Sequence, residues 1–236
     1  MKLDKVTITG ADDSISVEKL AVISKEFPFV EWGILLSKSK IGSSRFPSGK
    51  WIDELSKLKQ ETNIKLSGHI CGKWMVDIRS GIWSILEEVG DALFMFDRLQ
   101  INFGSTISDI NTYSLLKSIQ KIEHKFQYIF QLKNAHSKTI VDLFRHSDID
   151  CVPLFDASGG TGELPAEWPE YPSYYCGYAG GLSPSNVELQ LQKIERTVKD
   201  NTIWIDVESK VRSNNDILFD ENKVRKFLTK TSSYVC

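Results

Sequence analysis

Two segments hold the residue types that proton transfer and anion binding require. In the first, Leu154-Phe155-Asp156 ends an apolar, β-rich run and leads into Ala157-Ser158-Gly159-Gly160-Thr161-Gly162. A carboxylate at the end of an apolar strand is desolvated on one side, which suits it to give or take a proton near neutral pH. Its plainer role would be to cap the following loop, and a Gly-rich loop of this kind is suited to closing over a substrate. In the second segment, Ala179-Gly180-Gly181-Leu182-Ser183-Pro184, the glycines allow close approach of backbone to a ligand. A helix starting just beyond would turn N–H groups toward an anion, with Ser183 as cap and Pro184 as first helical residue. A Gly-Gly pair also serves as a simple tight turn.

A third cluster lies on Ile64–Cys71, where His69 and Cys71 are two apart and share one strand face, with Lys73 on the same side. Ordinary values of about 6.5 for histidine and 8.5 for cysteine make either a candidate base. The plainer alternative is a hydrogen-bonded His69 and a small, buried Cys71. The spacing of His69, Cys71 and Asp156 does not follow a metal-ligand pattern, so no metal or cofactor is expected. His136, after the fifth β-rich run, is the other histidine near these groups. The four cysteines, Cys71, Cys151, Cys176 and Cys236, form no C-x-x-C pair and read as buried or idle thiols of a reducing compartment.

Positioning these groups requires a repeating scaffold, and the chain alternates β-rich and helical patterns from end to end. The β-rich runs are Lys5–Thr9, Val30–Ser37, Ile64–Cys71, Arg98–Phe103, Phe126–Leu132, Cys151–Asp156, Ser173–Ala179 and Thr202–Val207. Between them run helical stripes such as Trp51/Leu55/Leu58, Ile78/Ile82/Ile85/Val89 and Val187/Leu191/Ile194/Val198. Strand ends recur every 23 to 35 residues, and 236 residues suit eight strand–helix units. The expected fold is a single (β/α)8 barrel over residues 1–236. An open doubly wound sheet would place a G-x-G-x-x-G loop after the first strand, where only Thr9-Gly10 occurs. From Gly159 to Pro172 three prolines leave room for a loop and at most a short helix. In a barrel the strand ends form one constellation: Thr9, Arg45 beyond strand 2, His69, Cys71, Gln100, Asn102, Asp156, Gly180-Gly181 and Asp206 to Lys210.

With those segments in place, the sequence resembles phosphoribosylanthranilate isomerase, a (β/α)8 enzyme of tryptophan synthesis. The matching pieces are G-I-L-L with S-S-R-F-P-S (Gly33 to Ser48), L-F-D-A-S-G-G-T-G, Y-A-G-G-L-S-P-S-N-V (Tyr178 to Val187) and I-D-V-E-S-K-V (Ile205 to Val211). The resemblance implies an Amadori rearrangement of an aminoaldose phosphate to an aminoketose phosphate. Asp156 then resembles the general acid and Arg45 the arginine that meets the anthranilate carboxylate, with Asp206 on the substrate. Gly180 and Gly181 resemble half of the phosphate cradle, with Ser209 and Lys210 on the eighth-strand side. The departures are as informative. The family's first-strand cysteine, its general base, is replaced by Thr9, whose hydroxyl is far too weak an acid to act as one. Glu208 and Lys210 occupy small-residue positions of the eighth strand, where Lys210 would meet phosphate as a point charge. His69 or Cys71 is the expected substitute base.

Composition narrows the partners. A formal net charge of -2 gives no case for nucleic acid, and no segment approaches the roughly 18 apolar residues of a membrane span. The N-terminus lacks an apolar signal core, so a cytoplasmic protein acting on a small phosphorylated sugar is expected. The alternatives are a paralogue acting on another phosphorylated sugar and a non-catalytic barrel that binds such a metabolite. The sequence does not specify an oligomeric state.

Overall fold

Eight parallel strands pair in chain order and close on themselves: β1 (Lys2–Thr9), β2 (Val30–Leu36), β3 (Lys65–Ile70), β4 (Arg98–Ile101), β5 (Gln127–Leu132), β6 (Cys151–Asp156), β7 (Gly177–Ala179) and β8 (Thr202–Val207). β8 returns to pair with β1, so the open sheet is excluded. The computed structural model describes residues 1–102, 111–122, 126–132, 135–147, 149–156 and 162–235, and of 135–137 only the backbone. The loop residues 157–161, His124, the His136 side chain and Cys236 lie outside that description.

The outer layer is α1 (Val17–Glu26), α2 (Gly49–Glu61), α3 (Gly72–Arg79), α4 (Ile85–Val89), α5 (Thr112–Gln120), α6 (Ala135–Arg145), α7 (Val187–Val198) and α8 (Glu221–Thr231). Side chains at the N-cap positions start three of these helices: Ser48 accepts from the Trp51 N–H, Asn111 from Ser114 and Asp220 from Lys223. Each helix lays an apolar stripe on the barrel, as Trp51, Ile52 and Leu55 do from α2. Among the described residues no helix is long and apolar enough to cross a membrane.

Four local expectations change. The Ile78–Val89 stripe is broken at Gly81, whose φ of 83° ends α3, and continues as α4 and a 3-10 turn, Gly90–Met95. The seventh strand is shorter than its run: Ser173, at φ 67°, lies outside the extended region, and pairing with β6 and β8 begins at Gly177. α7 begins at Val187, three residues after Pro184: the Asn186 amide bridges the Ser183 N–H and the Gly181 carbonyl, which holds 183–186 as a turn. Beyond β8 the chain inserts a 3-10 turn (Ser209–Val211) and a small hairpin, β9 (Arg212–Ser213) with β10 (Leu218–Phe219), before α8. As the prolines require, the described residues between β6 and β7 contain no helix.

The barrel interior is divided. Ile129, Val152, Leu154, Ala179 and Trp204 form an apolar half from β5 to β8. The half from β1 to β4 is polar, built on a buried ion pair in which the Arg98 Nε donates to Glu31 at 2.8 Å and Nη2 donates to the other carboxylate oxygen. Thr7 also donates to Glu31 at 2.8 Å, and the Arg98 guanidinium lies 4.5 Å from the Trp204 ring centroid, joining the two halves. Burial would push Glu31 up, but Arg98 holds its carboxyl below the usual range.

Candidate active site at the C-terminal mouth of the barrel

The strand ends enclose a cavity of about 300 Å³ at the face where enzymes of this fold keep their chemistry. Its walls bring together most of the residues singled out from the sequence: Thr9, His69, Cys71, Asp156, Gly180, Gly181, Asp206, Ser209 and Lys210. Gln100, Asn102, Gln131 and Glu208 complete the polar lining.

Register fixes the two aspartates. Asp156 on β6 is level with Ala179 on β7, and Ala179 with Asp206 on β8, so all three side chains share the inner face. Asp156 accepts from the Gln131 amide at 3.3 Å. Asp206 accepts from the Thr9 hydroxyl at 2.8 Å, and both are buried. Burial raises the Asp206 carboxyl well above the ordinary carboxylate range; Glu208 and Glu31 add to this, while Thr9 and Arg98 oppose it.

Strand 3 supplies His69 and Cys71. His69 approaches Thr9 across Gly33: a Cβ built on Gly33 would lie 2.2 Å from Thr9 Oγ1 and 3.1 Å from His69 Cε1. Only a glycine on β2 leaves that contact open. Among the described residues His69 Nε2 is buried without a hydrogen-bond partner, as is Gln100 Oε1. Burial lowers His69 to about 4 and raises Cys71 to about 11, the latter only partly offset by the Asn102 amide donating to its sulfur at 3.2 Å. A neutral imidazole with so weakly basic a nitrogen, and a thiol ionised in roughly one molecule in 10⁴ at pH 7, are both poor bases.

The β7 side of the cavity is built from close backbone contacts. Gly180 and Gly181 have φ of 113° and 65°, and a Cβ on Gly181 would lie 2.4 Å from the Leu164 nitrogen. Glu163 and Leu164 therefore lie directly on the β7 turn. The neighbouring Gly162 reaches Ser209, whose Oγ would lie 3.5 Å from an added Cβ. The loops after β6, β7 and β8 thus converge with Lys210 on one corner of the cavity.

Arg45 is placed differently from its expected role. It is not among the residues lining the cavity. Its guanidinium donates to Glu208 at 2.5 Å and to Asp216, while its backbone N–H donates to Asp12 at 2.6 Å. Burial pushes the Glu208 carboxyl up, and Arg45 draws it back. Arg45, Asn214, Asn215 and Asp216 all have positive φ without being glycine, a concentration of strained backbone at the rim. Arg212, fully buried, ties the rim together by donating to the Gly10 carbonyl, to Asp12 at 2.7 Å and to the Ile217 carbonyl at 2.8 Å. Nothing in the sequence pattern marks Arg212 or Asp216. The inward positions of Glu31 and Arg98 were visible as charges on an alternating strand face, and Gln131 as a polar residue ending an apolar run.

The family profile described as N-(5'phosphoribosyl)anthranilate (PRA) isomerase matches residues 114–230. That half carries Asp156, Gly180, Gly181, Asp206, Ser209 and Lys210, and excludes Thr9, Arg45, His69 and Cys71. No curated protein matches the sequence. Among solved structures, monomers generated from the dimeric phosphoribosylanthranilate isomerase of Thermotoga maritima superpose with a TM-score of 0.57 at 14% identity, over 97% of this chain and 98% of that one. A further structure of that enzyme gives a TM-score of 0.56 at 14% identity, with the same coverage. A truncated 3-deoxy-D-arabino-heptulosonate 7-phosphate synthase from Thermotoga maritima gives 0.59 at 8% identity, over 98% and 86%. At such identities these likenesses show the fold. The chain is thus a (β/α)8 barrel whose residues 114–230 match the phosphoribosylanthranilate isomerase profile.

Proposed function

We propose that the protein is a phosphoribosylanthranilate isomerase-like enzyme catalysing an Amadori-type isomerisation of a phosphorylated aminoaldose in the cytoplasm. The observation that carries this reading is the convergence of Asp156 with the Gly180-Gly181 turn, Ser209 and Lys210 on one cavity at the strand ends. Phosphate would sit on the glycine turn, met by Lys210 as a point charge, and so fix the sugar along the β6–β8 side. Asp156, steadied by Gln131, would then deliver a proton to the ring oxygen, opening the ring to an iminium ion. Loss of the C2 proton gives an enaminol, and its protonation at C1 with loss of the O2 proton completes the conversion to the ketose.

The test is turnover of phosphoribosylanthranilate by the purified protein, with Asp156→Asn beside it. The expected result is conversion to the ketose, reduced at least about 100-fold in the variant. No conversion by the wild-type protein, with no rescue of a tryptophan auxotroph, would overturn the substrate assignment. Unchanged activity of Asp156→Asn would overturn the acid role.

A further inference from the structure

Resting on the isomerase reading above, we infer that Asp206 supplies the base missing from the first strand, with Thr9 as its positioning residue. The first strand still reaches the reaction centre, but through a hydroxyl that grips a neighbouring carboxylate. Thr9 Oγ1 donates to Asp206 Oδ1 at 2.8 Å, and Oδ2 has no hydrogen bond among the described residues. The carboxylate lines the cavity, level with Asp156 and separated from it by the single strand β7, whose Ala179 leaves the space between them open. A sugar seated on the Gly180-Gly181 turn therefore has one carboxyl group on each side.

The surroundings suit the role. Asp206 faces Thr9 from β1, Glu31 from β2, Arg98 from β4 and Glu208 from its own strand end. Burial and the two glutamates raise its basicity, while Arg98 and Thr9 act in the opposite direction. A carboxylate raised above its ordinary range is, once ionised, a stronger proton acceptor than an ordinary one. The competing groups are less available: burial makes His69 a weak base and leaves the Cys71 thiol scarcely ionised at neutral pH, and Glu208 is held by Arg45.

The step balances without a co-reactant. Asp206 Oδ2 takes the C2 proton of the iminium ion; the C2–H electron pair forms the C1–C2 double bond, and the C1–N π pair returns to nitrogen. The resulting enaminol loses its O2 proton and gains one at C1, so the product is an isomer of the substrate.

Phosphoribosylanthranilate turnover is measured across pH for the wild type, Asp206→Asn, Thr9→Val and the double variant Thr9→Cys/Asp206→Asn. Asp206→Asn, nearly isosteric, is expected to lower kcat at least about 100-fold with KM within roughly threefold. Thr9→Val removes a hydrogen bond that favours the carboxylate, so the acidic limb of kcat/KM should move to higher pH by about one unit. The cysteine of the double variant should recover at least tenfold over Asp206→Asn. A purely structural Asp206 would leave the limb in place and would not be rescued by a thiol. Asp206→Asn within threefold of an active wild type, or an unmoved limb in Thr9→Val, overturns the base assignment alone. An inert wild type overturns the isomerase reading with it.

Discussion

Replacing Arg98 by methionine tests the division of the barrel interior most severely. The substitution removes the guanidinium that pairs with Glu31 inside β1 to β4 and stacks on Trp204, leaving a fully buried carboxylate with Thr7 as its remaining donor. Breaking a buried pair from one side costs about 3–5 kcal/mol. For a domain of this size that corresponds to a fall in Tm of about 6 to 20 °C. The double variant Glu31→Leu/Arg98→Met strands no charge and should regain stability to within about 2 kcal/mol of the wild type, the remainder including the lost stacking on Trp204. Because the folded state holds Glu31 below its ordinary range, its contribution is complete above that range and is lost as pH falls through the folded value. The gap between wild type and Arg98→Met should therefore be widest near pH 7 and narrow below about pH 4. Urea unfolding at several pH values reads both effects. A loss under about 1 kcal/mol at pH 7, or a gap that does not narrow in acid, would refute the reasoning.

Other substitutions probe the mouth. Gly181→Ala places a methyl 2.4 Å from the Leu164 nitrogen at a φ of 65°, so KM for the phosphorylated substrate should rise at least about tenfold as the β6 and β7 loops separate. Glu208→Gln releases Arg45 from one of its two carboxylates, and KM for a carboxylate-bearing substrate is expected to fall by about threefold or more; an unchanged KM would count against Glu208 as a competitor. For His69, burial lowers the folded value to about 4 against about 6.5 unfolded. The unfolded chain binds the extra proton between those values, so stability falls by up to about 3 kcal/mol as pH drops through that window. His69→Gln should flatten that slope, as followed by urea unfolding from pH 7 to pH 4.

The fold was legible because eight β-rich runs recur at near-regular spacing with helical stripes between most of them, and because the first run lacks the G-x-G-x-x-G loop of an open sheet. The site was legible on β6, β7 and β8, where Asp156, Gly180-Gly181 and Lys210 fall in short contiguous segments at strand ends. What escaped the sequence depends on contacts across the barrel. Thr9 reads as a lost base until it is seen to donate to Asp206, 197 residues away. Arg45 reads as a free anion site until the hairpin after β8 brings Asp216 to it. Local patterns equally misplaced the start of α7, because the Asn186 bridge to Ser183 and Gly181 outcompetes a Ser-Pro helix start.

The central claim, a phosphosugar held between Asp156 and Asp206, is tested most directly by a crystal structure with a reduced, non-isomerisable ketose phosphate analogue. The account predicts phosphate oxygens within about 3 Å of the Gly181 and Ser209 N–H groups or of Lys210 Nζ, with the carbons matching C1 and C2 between the two carboxyl groups. Phosphate bound away from the Gly180-Gly181 turn, or a sugar whose C2 lies beyond hydrogen-bond reach of Asp206, would contradict it.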